Sequence, residues 1–198
     1  MDTQDGRHGP GRHGDPGAQE PTRRRTLFAP EDFLGDFIAA PEAVLADIGC
    51  GTGFFALPAA RMLSAGRVLA VDIQQESLDR LAASARQEGL ANVEAIRADA
   101  AALPLPADSV DLVLMARFLL SYPERDAILH EARRVLRPGG RLYLVQWDRV
   151  PTPMGPPFAL RIGQDAIAGI VERAGFAVLR LWPGPAPFYR VLAQKPQA

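Results

Sequence analysis

Three glycines at alternate positions, Gly49, Gly51 and Gly53, follow an apolar run and precede a segment with a helical pattern. Glycine lets the backbone turn tightly and brings main-chain N–H groups close to a ligand that side chains would otherwise block. A second apolar run ends at Asp72, whose carboxylate can accept two hydrogen bonds from a ribose diol. A glycine loop, together with an acid at the end of the next predicted strand, indicates a pocket that binds a nucleoside.

Strand and helix patterns alternate along the chain around this loop. Strands are predicted at about 43–48, 67–71, 93–97, 110–115, 141–147, 176–182 and 187–194. Helices are predicted from 54 to about 64, over about 76–88, from about 121 to the residues before Pro138, and over about 164–174. The short break Pro183-Gly184-Pro185 favours an antiparallel hairpin between the last two strands.

The alternation predicts an α/β fold, a Rossmann-like doubly wound seven-stranded sheet that is mostly parallel with a C-terminal antiparallel hairpin. In such sheets ligands bind at the carboxyl ends of the strands, where the strand order reverses. Asp99 and Arg117 also follow predicted strands, as the glycine loop and Asp72 do. We therefore expect these residues to meet along one edge of the sheet.

Length and composition restrict the class of protein. The 198 residues fit a single domain, and 47% of them are hydrophobic. A formal net charge of −1 argues against a broadly basic nucleic-acid surface, and one cysteine excludes an internal disulfide. No apolar run is long enough to cross a membrane and the N-terminus lacks the apolar core of a secretory signal, so a cytoplasmic protein is expected. No metal site is predicted.

The N-terminal part of the sequence differs from the rest. Residues 1–25 are rich in glycine, proline and charge, which predicts a disordered tail ahead of a single domain over 26–198. The segment Pro30-Glu31-Asp32 then favours a short helix, whose apolar face consists of Phe33, Leu34, Phe37 and Ile38. This helix either packs on the sheet or caps a ligand cleft, and the periodicity does not separate the two.

Residues 43–147 resemble the class I S-adenosylmethionine-dependent methyltransferases, in particular the compact domains that include the quinone-biosynthesis type. The stretch 47–53, Asp-Ile-Gly-Cys-Gly-Thr-Gly, is similar to the first cofactor motif of that family, and Val71-Asp72 is similar to its acidic second strand end. Ala98-Asp99-Ala100 with residues 108–111, and then residues 135–142, resemble the later motifs. Several ordered segments at the expected spacing are more specific than one glycine loop.

The resemblance implies S-adenosyl-L-methionine as the cofactor. The cofactor-binding residues that it implies are Asp47, Gly49, Gly51, Gly53, Asp72, Ile73, Asp99 and Ala100. The glycines would line the methionine part, and Asp47 would orient the loop and, directly or through water, the ammonium. Asp72 would hold the ribose hydroxyls and Ile73 would pack on the adenine. Asp99 would accept from the adenine amino group beside the Ala100 N–H, with a turn or cap role as its alternative.

Two other functions stay open from the sequence. A NAD-dependent oxidoreductase would carry Gly-x-Gly-x-x-Gly, whereas this loop runs Gly-x-Gly-x-Gly, and the single lysine, Lys195, excludes a Tyr-x-x-x-Lys pair. A non-catalytic nucleoside-binding module would carry the same motifs as an enzyme, because resemblance does not show turnover. Cys50 has no histidine nearby in sequence and is interpreted as a space-filling residue.

Methyl transfer from a sulfonium is an in-line displacement from an activated donor, so alignment is the main requirement and the catalytic residues stay unknown. Three candidates are predicted at the same edge of the sheet. Arg117 either binds an acidic acceptor or a developing oxyanion or is a surface arginine. Tyr122 either donates to the acceptor or begins the helix with Pro123, and Asp148 can act as a base beside a wall formed by Trp147. His130 shares a helix face with arginines and is expected to be solvated.

The expected acceptor is a small, partly apolar organic molecule. Enzymes that methylate exocyclic amines of nucleic acid carry Asn/Asp-Pro-Pro-Tyr/Phe after the fourth strand, where this chain reads Ala-Arg-Phe-Leu at 116–119. Cytosine methylation needs a cysteine outside the glycine loop, and there is none. We expect the lid over the acceptor to come from residues 26–41 and 148–163. The sequence does not indicate the oligomeric state.

Overall fold

The computed structural model describes residues 29–117, 119, 123–153, 155–184 and 187–197. The predicted tail at 1–25 therefore lies outside the described residues. In chain order the elements are α1 (Pro30–Leu34), β1 (Val44–Ile48), α2 (Ala56–Met62), β2 (Arg67–Asp72), α3 (Gln75–Gln87), β3 (Val93–Arg97), β4 (Val110–Ala116), α4 (Arg125–Val135), β5 (Leu136–Trp147), a short 3-10 helix (Phe158–Leu160), α5 (Gln164–Arg173), β6 (Ala177–Pro183) and β7 (Phe188–Gln194).

The strands form one sheet of seven in the order β3-β2-β1-β4-β5-β7-β6. The pairs from β3 to β5 are parallel, whereas β7 is antiparallel to both β5 and β6. The predicted fold class is thus confirmed, including the C-terminal hairpin. The strand order reverses between β1 and β4, so loops that leave the carboxyl ends of these two strands diverge and leave a crevice there.

Alternating side chains of the strands supply two hydrophobic cores, one on each face of the sheet. Leu45 of β1 packs on the face that carries α1, α2 and α3. Ala46 and Ile48 pack on the other face, which carries α4 and α5. Burial on both faces explains why the central strands read as continuous apolar runs in the sequence. In the described part of the chain, no helix has the length and apolar character that a membrane span requires.

The short helix α1 packs on the sheet, which was one of the two predicted alternatives. The helix ends at Leu34, yet all four residues of its predicted apolar face are buried. The Phe37 ring stacks on Tyr143 of β5, with centroids 4.9 Å apart and an interplanar angle of 13°. Proline at its first position and two acids in its first turn favour a helix start at this point, as expected.

Strand β5 is longer than predicted, since it begins at Leu136 and not near 141. The segment Pro138-Gly139-Gly140 was interpreted as a break between helix and strand, but it lies inside β5. The pairing with β4 shifts register here, between Val110 and Leu112, as in a β-bulge. Gly139 has φ of 78°, and a Cβ on Gly140 would lie 2.9 Å from the Arg137 carbonyl oxygen. The glycines therefore permit the bulge and do not end the element.

Candidate functional site

The glycine loop leaves the end of β1 with a left-handed backbone. Gly49, Gly51 and Gly53 have φ of 75°, 54° and 91°, a region that residues with a Cβ rarely adopt. The N–H groups of Gly49 and Cys50 both donate to the carbonyl oxygen of Val71, at 2.8 and 3.0 Å. The loop is therefore tied to the end of β2, and the two predicted motifs meet at one edge of the sheet.

Asp72 links the glycine loop to the start of α3. Its Oδ2 accepts a hydrogen bond from the Gly51 N–H at 2.8 Å, and its Oδ1 accepts one from the Gln74 N–H at 2.9 Å. Both bonds hold backbone, so this carboxylate has a structural function; a role at the helix start is the weaker alternative that the sequence offers, and the bond to the glycine loop was not predicted. Each carboxylate oxygen can accept more than one hydrogen bond, so both oxygens keep the capacity to bind ligand hydroxyls.

Asp47 is the fourth of the five residues of β1, just before the loop, and is 2% exposed. Among the described residues its Oδ2 atom has no hydrogen-bond partner. Burial, and then the negative charge of Asp72, raises the pKa of Asp47 from 3.8 to about 7. A buried carboxylate oxygen without a donor is costly, and a cationic ligand group that donates a hydrogen bond to it would offset that cost.

Ile73 and Asp99 follow the neighbouring strands β2 and β3. The Ile73 side chain is 54% exposed, which is high for a large apolar residue beside a polar loop. The Ala98 N–H donates to the carbonyl oxygen of Asp72 at 3.1 Å, so the chain after β3 lies against the end of β2. Asp99 is exposed, and its Oδ1 accepts from the Ala101 N–H at 2.8 Å in a turn that includes Ala100. The predicted turn role of Asp99 is thus present, and its ligand role stays a prediction.

Arg117 follows β4 on the other side of the switch point. Its φ is 65°, an uncommon conformation for a residue with a side chain, and its N–H donates to the Val145 carbonyl oxygen at 2.7 Å. The guanidinium lies over the ring of Phe54, 5.7 Å from its centroid, directly after the glycine loop. Strained backbone conformations concentrate at functional sites, which keeps Arg117 as a candidate. Tyr122, the second candidate, lies outside the described residues.

Asp148, the third candidate, follows β5. Its Oδ1 accepts from the Arg149 N–H at 2.7 Å and its Oδ2 accepts from Gln164 Nε2 at 2.7 Å. Asp148 therefore joins the end of β5 to the start of α5. Both oxygens accept a hydrogen bond from the chain, so Asp148 has a structural function, and its role as a base stays a prediction.

Cys50 and His130 lie where the sequence analysis expected them. Cys50 is 7% exposed, and its Sγ donates to the Gly51 carbonyl oxygen at 3.6 Å. Burial, with the charges of Asp47 and Asp72, raises the pKa of this thiol, which disfavours a thiolate nucleophile. His130 is exposed on α4. The described residues contain no group of three His, Cys, Asp or Glu side chains that could hold a metal ion.

Two residues that contribute to this edge were not singled out from the sequence. Phe54 lies under the Arg117 guanidinium, and Arg161 lies over the Trp147 ring, 5.4 Å from its centroid. Arg161 is only 6% exposed. Neither residue belongs to a local motif, because each contact joins segments that are far apart in sequence. A phenylalanine directly after a glycine loop was the one available signal.

The chain is similar to known methyltransferases in sequence and in structure. A family described as "Methyltransferase domain" matches residues 45–140. The ubiquinone/menaquinone biosynthesis C-methyltransferase UbiE of Acidiphilium cryptum is 32% identical, over 73% of this chain and 70% of the relative. The nocamycin O-methyltransferase of Saccharothrix syringae is 36% identical, over 75% of this chain and 54% of the relative, so this chain spans about half of its length.

The crystal structure of a SAM-dependent methyltransferase from Aquifex aeolicus has the same fold, with a TM-score of 0.80 and 27% identity. The superposition covers 89% of this chain and 98% of that protein. The names of these three proteins, the two relatives and the Aquifex aeolicus protein, all describe methyltransferases, and none describes an oxidoreductase. The nicotinamide alternative is therefore not favoured.

Proposed function

The chain belongs to the S-adenosyl-L-methionine-dependent methyltransferase family, and we propose that it transfers the methyl group of this cofactor to a small, partly apolar organic acceptor. The observation that carries the proposal is the buried Oδ2 of Asp47, which has no partner among the described residues and lies just before the left-handed glycine loop. A site of this kind fits the ammonium of an amino-acid ligand. The acceptor class is supported by the C- and O-methyltransferase relatives.

The side chains along this edge fit the remaining parts of the cofactor. Gly51 has no heavy atom within 4 Å of the position that a Cβ would occupy, so the methionine part could approach its backbone closely. The Asp72 carboxylate would hold the ribose hydroxyls while it keeps the loop in place. The exposed Ile73 side chain would pack on the adenine, and Asp99 with Ala100 would bind its polar edge.

The bound cofactor supplies a methyl group on a positively charged sulfur. An electron pair of the acceptor forms the new bond to the methyl carbon while the carbon–sulfur bond breaks, so the sulfur keeps that bonding pair. Any proton on the acceptor atom leaves to water or to a base. The glycine loop, tied to Val71 and Asp72, would fix the donor in line, which is the main contribution that a protein makes to this step.

Arg117 is the side chain that we propose next to the acceptor. It follows β4, contacts Phe54 beside the glycine loop and is bonded to β5 through its N–H. A guanidinium at this point would stabilise negative charge on the acceptor and favour its nucleophilic form. Because the net charge of the whole chain is −1, we propose that the acceptor is a metabolite and not a nucleic acid.

Two measurements on the purified chain test the proposal. The first compares the thermal midpoint with S-adenosylmethionine, S-adenosylhomocysteine and NAD, because a ligand that binds only the native state stabilises it by several kcal/mol at saturation. The second incubates the chain with labelled S-adenosylmethionine and a panel of small acceptors. We expect stabilisation by the first two ligands and labelled product. Stabilisation by NAD alone would refute the cofactor, whereas binding without product across the panel would favour a non-catalytic module.

A further inference from the structure

The loop between β5 and α5 carries an apolar crevice of about 570 Å³ that is largely open to solvent. The residues that line it are Pro151, Thr152, Gly155, Pro156, Pro157, Phe158 and Arg161. A volume of this size suits a small organic molecule with one or more rings. Proline rings and a phenylalanine offer such a molecule flat apolar surfaces that lose little conformational freedom when they bind it.

Contacts across the loop keep this crevice in shape. The buried Arg161 side chain donates from Nη1 to the Val150 carbonyl oxygen at 2.6 Å and from Nε to the Pro156 carbonyl oxygen at 2.9 Å. A Cβ on Gly155 would lie 2.7 Å from the Trp147 ring, so the loop backbone rests directly on the indole. The crevice is therefore preorganised on the last residue of β5.

This position adjoins the edge of the sheet that carries the glycine loop. The strand order β1-β4-β5 places one strand between Asp47 of β1 and Trp147 of β5. The Arg117 N–H bonds to Val145, two residues before Trp147, so the end of β4 and the start of the loop are neighbours. The loop that forms the crevice therefore starts beside the end of β4, on the side away from β2 and β3.

Arg149 does not line the crevice but adjoins it through Phe158, which is a lining residue. Phe158 is 46% exposed, and the Arg149 guanidinium lies over its ring, 5.1 Å from the centroid. Arg149 makes no ion pair with any other described residue. A cation at the edge of an apolar cavity complements a ligand that has an apolar body and one anionic group.

We propose that this crevice binds the methyl acceptor, and that the acceptor is an amphipathic ring compound with an anionic group such as a carboxylate or a phenolate. The assignment to the acceptor rests on the proposed methyltransferase function, whereas the binding chemistry of the crevice does not. Phe158 contacts the ring system, and Arg149 selects the anionic group. Where the anionic group is itself the methylated group, as in a phenolate, the reaction needs no base.

Binding of two fluorescent probes with the same ring system tests the chemistry without any methyl transfer. 1-Anilinonaphthalene-8-sulfonate carries the anion, and N-phenyl-1-naphthylamine lacks it. The variants are Phe158→Ala, Arg149→Gln and, as a matched control, Leu160→Ala. Leu160 is 53% exposed on the same 3-10 helix but does not line the crevice. Near-ultraviolet circular dichroism and the thermal midpoint verify that each variant keeps the native fold.

We expect Phe158→Ala to weaken both probes about tenfold through lost apolar contact, and Leu160→Ala to change neither by more than about twofold. Arg149→Gln should weaken only the sulfonate probe, by about threefold. Equal effects of Phe158→Ala and Leu160→Ala would overturn the binding site. Equal effects of Arg149→Gln on the two probes would overturn the selection of an anion.

Turnover separates this inference from the proposed function. If an acceptor is found, Phe158→Ala should raise its KM about tenfold with an unchanged affinity for S-adenosylmethionine. Methyl transfer with an unaltered KM would overturn the crevice as the acceptor site and leave the function standing. The expected probe pattern without any methyl transfer would support the binding chemistry and count against the proposed function.

Discussion

Asp47 allows the sharpest test of the site, because its charge should couple both stability and cofactor affinity to pH. Burial and the nearby Asp72 carboxylate raise the pKa of Asp47 from 3.8 to about 7. At pH values between 3.8 and about 7 the native state binds more protons than the unfolded state, so the free energy of unfolding falls as the pH rises. Above the native pKa the loss is complete and the profile becomes flat.

The size of the effect follows from linkage. With pKa values of about 7 in the native state and 3.8 in the unfolded state, Asp47 should lower the free energy of unfolding by about 2.5 kcal/mol between pH 5 and pH 8. Asp47→Asn removes this titration. We expect the wild-type chain to lose about 2.5 kcal/mol more than the variant over that interval. Because each protein is compared with itself at pH 5 and pH 8, any pH-independent cost of burying the new amide cancels.

Urea denaturation of both proteins without ligand at pH 5, 6, 7 and 8 measures the difference directly. The same carboxylate should act in the opposite direction on cofactor binding, because an ammonium prefers the ionised form. Affinity for S-adenosylmethionine should therefore rise about tenfold per pH unit below pH 7 in the wild type and stay nearly flat in Asp47→Asn. Parallel stability profiles for the two proteins would refute the raised pKa. Parallel affinity profiles would refute the contact with the ammonium.

Two further pairs of variants compare the site with matched positions elsewhere. Gly51 and Gly89 both have positive φ and open space around a Cβ, so alanine at either should lower the free energy of unfolding in urea by about 1–2 kcal/mol. Only Gly51→Ala should also weaken S-adenosylmethionine binding in calorimetry. Equal cofactor affinities of the two variants would contradict the close approach of the cofactor to Gly51. Ile73 and Leu179 are 54% and 51% exposed. Serine at either should change the free energy of unfolding by less than about 0.5 kcal/mol, but only Ile73→Ser should weaken cofactor binding, by about fivefold. An unchanged affinity of Ile73→Ser would refute the proposed contact of Ile73 with the adenine. Asp72→Asn should weaken cofactor binding and increase hydrogen exchange at the Gly51 amide, because the Gly51 N–H loses its charged acceptor. Unchanged exchange at the Gly51 amide would contradict the structural function of Asp72.

The fold could be predicted well from the sequence because its signals are local. Apolar runs on both sides of the glycine loop, regular helix patterns and the break at Pro183-Gly184-Pro185 each depend on a few neighbouring residues. The error at β5 has the same origin. Proline with two glycines is a strong local breaker, and only the pairing with β4 shows that these residues form a bulge within the strand.

The candidate site was predictable in position but not in its internal bonding. Parallel strands bring their carboxyl ends to one edge, so the pattern predicts that Asp72, Asp99 and the glycine loop share that edge, and the structure ties Asp72 to the loop. The bond from Gly51 to Asp72 joins two motifs across the sheet, and a sequence pattern carries no information on which oxygen accepts it.

The same limit applies to the charge state of Asp47. A strand position predicts that the side chain is buried, but the raised pKa depends on which donors are missing around it and on how near Asp72 lies. These are non-local quantities. The proposed acceptor crevice depends on non-local contacts still more, because Arg161 shapes it through carbonyl groups of a proline-rich loop that has no periodicity. The proposed cofactor residues belong to short motifs, whereas the proposed acceptor crevice depends on tertiary contacts, which is why the sequence indicated the first more sharply than the second.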